Sequence, residues 1–325
     1  MVLFEVNHHV STEPPYSMVN YTYEVTTMET IQIAPEVRFS RIVQGLWRLK
    51  NWNFDTIQTV NFLHRCIELG VTTFDTAEIY GDYGVEEEIG KALLWDPTLR
   101  SKIQLVTKTG INMKSPSKSY RIGHYDTRYD KIIESCKQSI AKMNCEYIDL
   151  YLIHREDPLI DHDEVARALN DLKAMGFIKA YGCSNFDPFK FEALQSACGN
   201  NLATNQIEMS PVCFEHFDSG MMDVLQKHHT PPMIWSPLAG GLLFTSNEPM
   251  YVKVRRKLEE IALRHKTSPE TIVYAWLLYL PVKAIPISGS SSLERLSAAI
   301  AAFDVRLSHE EWYEIYLASG QQRLR

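Results

Sequence analysis

Short apolar runs alternate with amphipathic segments along most of this chain, eight of each. The runs are rich in β-branched and aliphatic residues, as buried strands are, and the segments between them have helical spacing. The runs lie near residues 41–47, 72–76, 103–108, 147–154, 178–184, 203–209, 232–236 and 283–288. The helical segments lie near residues 55–69, 84–95, 129–144, 162–175, 187–198, 215–228, 268–280 and 292–302. This alternation, without a linker between two halves, predicts an α/β fold with a single (β/α)8 barrel of the TIM type rather than an open doubly wound sheet.

The chain is expected to divide into a short N-terminal extension and one domain. Residues 1–27 are polar and are expected to form an N-terminal extension, whereas residues 28–325 are expected to form the single barrel domain. A length of 325 residues is common for one barrel of this kind. Residues 28–40 predict a hairpin, because apolar and polar residues alternate up to a turn at Pro35.

Three further segments do not belong to the repeat. Residues 249–265 and 308–319 have helical periodicity and predict two extra helices. Residues 111–128 are rich in Ser, Tyr and Lys and follow the third strand. We expect this insertion to overhang the mouth formed by the carboxyl ends of the strands.

Three consecutive apolar runs end on an ionisable residue. These residues are Asp75, Lys108 and His154, and Tyr80 follows the first of them by five positions. The carboxyl ends of barrel strands meet at one mouth, so these side chains are expected to lie together. The sequence therefore predicts a catalytic site built from four residues that are distant along the chain.

The four residue types suit proton donation to a carbonyl oxygen. A Tyr hydroxyl is a weak acid, and an ammonium beside it is expected to lower its pKa. In this interpretation Tyr80 is the proton donor, Lys108 is its neighbour and Asp75 holds Lys108. His154 would orient and polarise the substrate carbonyl. No amino acid supplies hydride, so this chemistry implies a nicotinamide cofactor.

Each residue also has a structural interpretation that the sequence alone leaves open. Asp75 could cap a turn, Tyr80 could be a half-buried aromatic, and His154 could be a core histidine. His154 could also bind a metal with Asp157 and His162, although no H-x-x-x-H or H-x-H pair is present. Lys108 is the least ambiguous, because an ammonium after so apolar a run is costly unless it is paired.

Several motifs in register resemble those of the aldo-keto reductases. The segment from Gly70 to Gly81, GVTTFDTAEIYG, resembles the family signature, and Lys108 and His154 have the order and spacing found in that family. The resemblance spans about residues 28 to 319 and implies the four catalytic roles given above. Many members have Tyr at the position of Trp235. Trp235 and the glycines after it resemble the residues found in a mainly microbial subgroup of the family.

The same resemblance implies a binding site for NADPH. The segments GCSN, NQ, WSPL and IPISGS resemble elements that hold the nicotinamide and the adenosine phosphate. The implied cofactor residues are Ser184, Asn185, Gln206, Trp235, Ser236, Leu238, Gly240, Ser290 and Arg295. Ser290 and Arg295 lie where a helix beginning near Ser292 would bind a phosphate.

For Gln206 and Trp235, physical arguments independent of the resemblance also favour contact with the cofactor. Gln206 lies among apolar neighbours and needs a polar partner, which a cofactor carboxamide would supply. Trp235 is expected to stack on the nicotinamide.

The chain departs from the family at Gly289, where many members have Lys, and at Ala298 and Ala299 on the adenine side. We therefore expect a moderate preference for NADPH, with NADH used at lower efficiency.

Composition excludes several other kinds of protein. The formal net charge of −7 argues against nucleic acid or an anionic membrane as the main partner. The six cysteines form no C-x-x-C pair and no metal spacing, and the N-terminus lacks a signal peptide. The most apolar helical stretch, residues 271–282, is too short to span a bilayer. These features predict a cytoplasmic protein with reduced thiols and no metal, and the four predicted catalytic residues add a small carbonyl compound as its substrate.

Three functions fit the sequence to different degrees. The four predicted catalytic residues favour a reductase of aldehydes and ketones. A nucleotide-sensing regulatory subunit, such as the potassium-channel β subunits of the same family, would keep the barrel and the cofactor site. A metal-dependent barrel hydrolase would use Asp75, Asp157, His154 and His162.

Overall fold

Eight parallel strands close into a barrel in the computed structural model, which describes residues 28–321. The strands, in chain order, are β1 (Thr30–Ala34), β2 (Val37–Ser40), β3 (Val43–Gly45), β4 (Thr73–Asp75), β5 (Gln104–Thr109), β6 (Ile111–Asn112), β7 (His124–Tyr125), β8 (Ile148–Ile153), β9 (Ile178–Ser184), β10 (Asn205–Glu208), β11 (Met233–Trp235) and β12 (Ile285–Ser288). The barrel order is β3-β4-β5-β8-β9-β10-β11-β12, and β12 pairs with β3. The predicted (β/α)8 barrel is confirmed.

Helices cover the outside of the barrel. They are α1 (Thr56–Glu68), α2 (Tyr80–Tyr83), α3 (Val85–Trp95), α4 (Tyr129–Lys142), α5 (His162–Ala174), α6 (Pro188–Ala197), α7 (Glu215–Asp218), α8 (Met221–Lys227), α9 (Leu242–Thr245), α10 (Pro249–His265), α11 (Pro269–Leu278), α12 (Leu293–Ile300) and α13 (His309–Ala318). Short 3-10 turns occur at Leu49–Trp52, Pro97–Lys102, Ala239–Gly241 and Ala301–Asp304. None of the helices within residues 28–321 is long and apolar enough to cross a membrane.

Polar side chains define where several of these helices begin. Asp55 and Ser308 form capping boxes at α1 and α13, since the side chain of each accepts a hydrogen bond from a backbone N–H in the first turn and its own backbone N–H donates one to the side chain of the same residue, Gln58 or Glu311. Asp187 caps α6, whose first residue is Pro188. These local signals explain why the sequence pattern gave helix starts within a residue or two of the observed ones.

The hairpin of β1 and β2 closes the bottom of the barrel. Its apolar residues Ile33, Val37 and Phe39 pack in one cluster with interior residues of the barrel strands. The Ser40 hydroxyl, at the end of the hairpin, accepts hydrogen bonds from backbone N–H groups at the start of β4. The amino-terminal end of the barrel is therefore filled with apolar side chains, which leaves the carboxyl end as the mouth.

Side-chain alternation along the strands decides what faces the interior. Val106 and Lys108 of β5 are two residues apart and share the inner face, while Thr107 points outward to Glu86. β5 also lies between β4 and β8, with Asp75 paired to Val106 and Lys108 paired to Leu152. This register brings the polar end of each strand to the same level of the barrel.

The two extra helices are present where the sequence predicted them. α10 and α13 pack against each other and against α11. Trp276 of α11 and Trp312 of α13 stack at 5.1 Å between ring centres, and each indole N–H donates to the other residue's carbonyl oxygen. These helices form a second layer outside the repeat.

Two predicted segments differ in detail. The segment 215–228 is two helices, α7 and α8, because Gly220 between them has a left-handed φ of 81°. The insertion at 111–128 contains a two-stranded antiparallel ribbon, β6 with β7, instead of irregular structure alone. The predicted extension at 1–27 lies outside the described residues.

Candidate active site

Lys108 lies at the centre of a polar cluster at the mouth of the barrel. Its ammonium donates to both carboxylate oxygens of Asp75, at 2.7 and 2.9 Å, and to the carbonyl oxygen of Thr76 at 2.7 Å. The phenol oxygen of Tyr80 is 3.3 Å from the same nitrogen. The ends of β4 and β5 thus bring together three of the four side chains predicted from the sequence.

Burial makes this ion pair unusual. Lys108 has no exposed surface and Asp75 is 4% exposed. Burial lowers the pKa of Lys108, but the Asp75 carboxylate and the Tyr80 oxygen outweigh it, so the pKa is raised. Lys108 is therefore a permanent cation, held on the carboxylate and directed at the phenol.

Tyr80 is the first residue of α2, at the edge of the mouth, and is half-buried. The expectation that Lys108 gives this phenol a lowered pKa is wrong for the protein alone. Burial raises the pKa of Tyr80, and the Lys108 ammonium opposes that shift without reversing it. The phenol accordingly keeps its proton at neutral pH, as a proton donor must.

His154 follows β8 and faces Tyr80 edge to face, with ring centres 5.9 Å apart. Burial lowers its pKa well below the usual value, and the Lys108 and Arg155 cations lower it further. Its Nδ1 atom is buried without a hydrogen-bond partner among residues 28–321. A neutral imidazole donates one hydrogen bond and accepts another, so His154 can bind a neutral oxygen compound beside Tyr80.

Gln206 has a partner within the protein that the sequence did not predict. Its amide Nε2 donates to Asp75 at 2.7 Å, across the barrel interior. The cofactor carboxamide is therefore not needed to satisfy this buried amide group. Gln206 instead holds the Asp75 carboxylate in place together with Lys108.

Asn185 links the end of β9 to Trp235. Its Nδ2 atom donates to the Ser184 hydroxyl at 2.8 Å and to the His154 carbonyl oxygen at 3.2 Å. Its Oδ1 atom accepts from the Trp235 indole N–H at 3.0 Å. Three of the predicted cofactor residues thus form one network beside His154, and the Trp235 ring is oriented by it.

Four of the five remaining predicted cofactor residues lie in two loops. Ser236, Leu238 and Gly240 belong to the turn after β11, where Gly240 has a φ of 66° and a Cβ added there would meet no atom within 4 Å. Ser290 lies between β12 and α12, and its hydroxyl accepts from the Ser292 backbone N–H at 3.1 Å.

Arg295 lies in the first turn of α12 and is exposed. Gly289, just before Ser290, has open space where a Cβ would lie. An open glycine, a helix N-terminus and an exposed cation together fit a phosphate group.

The metal alternative finds no support in this geometry. Asp157 accepts a hydrogen bond from the Thr127 hydroxyl at 2.9 Å, and Asp75 is occupied by Lys108 and Gln206. No group of three or more His, Cys, Asp or Glu side chains suitable for a metal occurs in the described part of the chain. All six cysteines lie within that part and are free.

Two side chains at the mouth are missing from the set predicted by sequence. Trp47 is 58% exposed, and its ring centre is 6.5 Å from that of Tyr80. Arg155 directly follows His154, and its guanidinium lies 5.8 Å from the centre of the Trp235 ring. Val43 packs among the interior residues of the barrel, and the period-two count from Val43 through Gly45 reaches Trp47 just past the end of β3, a pattern that would have identified Trp47.

Comparison with known proteins gives a consistent family match. A profile of the Aldo/keto reductase family matches residues 41–318. Oxidoreductase YdhF of Escherichia coli (strain K12) is 42% identical over 294 residues, which cover 90% of this chain and 98% of YdhF. A 6-dehydroglucose reductase of Agrobacterium fabrum is 40% identical over 299 residues, covering 91% of this chain and 99% of that protein. The crystal structure of the thermostable aldo-keto reductase Tm1743 with the inhibitor epalrestat is similar at a TM-score of 0.75 and 26% identity, covering 90% of this chain and all of that one.

Proposed function

This chain belongs to the aldo/keto reductase family, and from that membership we propose that it reduces an aldehyde or ketone to an alcohol with NADPH, using Tyr80 as the general acid. One observation carries the proposal. The buried Lys108 ammonium contacts both the Asp75 carboxylate and the Tyr80 phenol at the mouth of the barrel. A charged group held next to a weak acid is the arrangement that proton donation to a developing alkoxide requires.

The proposed proton transfer uses residues of this chain alone. The substrate carbonyl oxygen would lie between Tyr80 and His154, where neutral His154 donates a hydrogen bond and orients it. The Tyr80 hydroxyl then gives its proton to that oxygen as negative charge develops there. Lys108 stabilises the resulting phenolate, and Asp75 keeps Lys108 in position throughout.

A nicotinamide cofactor, when bound, supplies the hydride that the protein itself lacks. The residues fit such a group at both ends. Trp235, oriented by Asn185, presents a half-buried flat ring beside His154. The open glycines Gly240 and Gly289 would let backbone atoms approach a pyrophosphate or phosphate closely.

The phosphate site favours NADPH over NADH. Arg295 can bind a 2′-phosphate with paired hydrogen bonds, and the N-terminus of α12 adds backbone donors. Ser290 supplies a hydroxyl next to that helix. Because Gly289 supplies no second cation, NADH would be used at lower efficiency.

The proposed substrate is a small aldehyde that carries hydroxyl groups. The relative from Agrobacterium fabrum, named a 6-dehydroglucose reductase, supports this class by its name. At the mouth, the exposed Arg155 guanidinium offers hydrogen-bond donors beyond the carbonyl site. A hydroxyl-bearing chain would use these donors, whereas a plain alkyl chain would not.

Steady-state reduction tests the proposal. The purified protein should consume NADPH with D-glyceraldehyde faster than with propanal, which has the same carbonyl and chain length without hydroxyls. Tyr80→Phe should bind NADPH normally and lose at least about 10² to 10⁴-fold in kcat, the usual contribution of a general acid. Tyr125→Phe, an exposed tyrosine of β7, is the matched control.

Two results would contradict this function. If the protein binds NADPH but reduces none of the compounds in a carbonyl panel, the nucleotide-sensing role is favoured instead. A Tyr80→Phe variant with the activity of Tyr125→Phe would remove Tyr80 from the reaction while leaving the family membership intact.

A further inference from the structure

The short element α2, which begins with Tyr80, is a turn with an unusual backbone. Gly81, Asp82 and Tyr83 are consecutive and have left-handed φ angles of 57°, 57° and 62°. Side chains with a Cβ disfavour this region, and two of the three residues here are not glycine. Such a conformation persists only where surrounding contacts hold it.

The insertion at 111–128 supplies contacts on one side of the turn. The backbone N–H of Met113 donates to the Tyr83 phenol oxygen at 2.7 Å. The Ser115 hydroxyl donates to the Asp82 carboxylate, and the Ser117 hydroxyl approaches the same oxygen at 3.4 Å. Both non-glycine residues of the turn are therefore bound to the insertion by their side chains.

Cations add to this contact on Tyr83. The Lys118 ammonium, also from the insertion, lies 4.4 Å from the centre of the Tyr83 ring. Lys142 of α4 donates to the Tyr83 carbonyl oxygen at 3.2 Å. Tyr83 is only 7% exposed, so its ring and both of its oxygens are fixed by other elements.

Lys50 lies against the opposite side of the turn. A Cβ added to Gly81 would lie 2.7 Å from the Lys50 side chain and 2.8 Å from Val85. A Cβ added to Gly84 would lie 2.7 Å from the Lys50 ammonium nitrogen. The turn is thus enclosed between the 3-10 turn at Leu49–Trp52 and the insertion.

We propose that Asp82 and Tyr83 are positioning residues, which use the insertion at 111–128 to hold the Tyr80 hydroxyl on Lys108. The proposal rests on the proposed role of Tyr80 as the acid. Tyr80 begins the turn, and its phenol oxygen is 3.3 Å from Lys108, a distance that a small rotation of the turn would lengthen. Releasing the insertion lets the left-handed residues relax and moves the proton donor away from the carbonyl site.

The first test removes single hydroxyls. Tyr83→Phe loses the acceptor for Met113 and keeps the ring, and Ser115→Ala loses the donor to Asp82. Each should lower kcat by about ten-fold, because small misplacements of a catalytic group cost up to about 10²-fold in rate. The NADPH dissociation constant, measured by fluorescence titration, should stay within about two-fold, because none of these contacts lies among the proposed cofactor residues.

Matched controls lie in the same insertion. Tyr125→Phe and Ser119→Ala remove the same groups from exposed positions, and both should keep wild-type kcat.

The second test separates backbone conformation from side-chain contact at Asp82. Asp82→Asn keeps an acceptor and tolerates the left-handed region, so kcat should stay close to that of the wild type. Asp82→Gly keeps the backbone conformation without the contact and should be intermediate. Asp82→Ala loses both and should have the lowest kcat.

The outcomes distinguish this proposal from the role of Tyr80 itself. If Tyr80→Phe is inactive while Tyr83→Phe, Ser115→Ala and Asp82→Ala match the controls, the positioning role is wrong and the acid remains. If the three variants lose cofactor affinity together with kcat, the contacts are general structural ones and the proposal is also wrong. A fall in kcat alone, restored by Asp82→Asn, supports it.

Discussion

At the scale of single residues, Lys108 determines the electrostatics of the mouth. It is fully buried, and its ammonium has two oxygens of Asp75, one carbonyl oxygen and one phenol oxygen around it. Removing one partner of a buried ion pair leaves the other charge uncompensated, which is far more destabilising than removing both. The role of Lys108 in the proposed reaction can therefore be separated from its role in stability by a double substitution.

Lys108→Met is expected to abolish most of the activity and to destabilise the protein. The methionine leaves the Tyr80 phenol without a cation and the Asp75 carboxylate without its partner, so kcat should fall by at least about 10². Lys108→Met with Asp75→Asn removes both charges and should recover much of the lost stability, measured by urea unfolding, without recovering kcat. Recovery of activity in the double variant would contradict the role of the ammonium in proton donation.

Arg295→Ala is expected to reduce the preference for NADPH. Losing charge-assisted hydrogen bonds of about 1.5 to 3 kcal/mol should lower the ratio of kcat/KM for NADPH to that for NADH by one to two decades. Arg295→Lys, which keeps a charge but not the paired geometry, should be intermediate. Arg121→Ala, at an exposed position of the insertion, should leave the ratio unchanged. Equal kcat/KM for both cofactors in the wild type would show that this helix start binds no 2′-phosphate.

The sequence identified the polar strand ends, but not all of their partners. Asp75, Lys108 and His154 could be predicted because each ends an apolar run, which is a local feature. The hydrogen bond from Gln206 to Asp75 could not, because it joins β10 to β4 across the barrel and depends on the register of strands that are not neighbours. The raised pKa of Tyr80 was also missed, because its burial depends on how the surrounding loops pack.

At the scale of elements, Gly90 sets the distance between two helices. It lies in the middle of α3, and a Cβ added there would be 1.9 Å from the carbonyl oxygen of Lys142, at the end of α4. The Asn144 amide also donates to the Gly90 carbonyl oxygen at 3.2 Å. Helix α3 can approach α4 this closely only because residue 90 has no side chain.

Gly90→Ala is therefore expected to destabilise the protein despite the better helix propensity of alanine. Overpacking of this kind typically costs about 1 to 3 kcal/mol, which outweighs the roughly 1 kcal/mol that alanine gains in a helix. The urea midpoint should fall with an unchanged slope. Glu87→Ala, on the exposed face of the same helix, should leave the midpoint nearly unchanged. A Gly90→Ala protein as stable as the wild type would mean that α4 can shift freely.

Elements with a clear apolar period were predicted more accurately from the sequence than irregular ones. α10 and α13 were predicted to within a residue, because apolar spacing and caps act within one helix. The ribbon of β6 and β7 was not predicted, because its strands have two residues each and too few positions to show a period. The break at Gly220 was missed for a related reason, since a single left-handed residue does not change the apolar spacing around it.

At the scale of the whole molecule, a partly buried carboxyl group makes stability depend on pH. Glu78 lies between the barrel and α4, where it accepts a hydrogen bond from the Ser135 hydroxyl. Burial raises the pKa of Glu78 to about 7, with Ser135 opposing the shift and the nearby Glu86 adding to it. Lys118 and Lys142 also face this group and oppose the shift.

Because the pKa of Glu78 in the folded state lies above its usual 4.5, the folded protein binds more protons than the unfolded one between those values. The stability that this group contributes is present at low pH and is lost as pH rises towards 7. Between pH 5 and pH 8, the wild type should lose on the order of 2 kcal/mol relative to Glu78→Gln. Urea unfolding of both proteins at the two pH values measures this difference, with Glu87→Gln as an exposed control. Parallel pH profiles would show that the pKa of Glu78 is not raised in the folded protein.

The pairing of β12 with β3 has a consequence for the synthesis of this protein on the ribosome. The Gln44 amide donates to the Ser290 carbonyl oxygen, so the seam of the barrel joins residues 246 positions apart. At translation rates of about 5 to 20 residues per second, the nascent chain carries β3 for on the order of tens of seconds before β12 emerges. Throughout that time one edge of β3 has no partner from its own chain, and unpaired strand edges are sites of aggregation. The yield of folded protein should therefore depend on how well the cell shields this edge until translation is nearly complete.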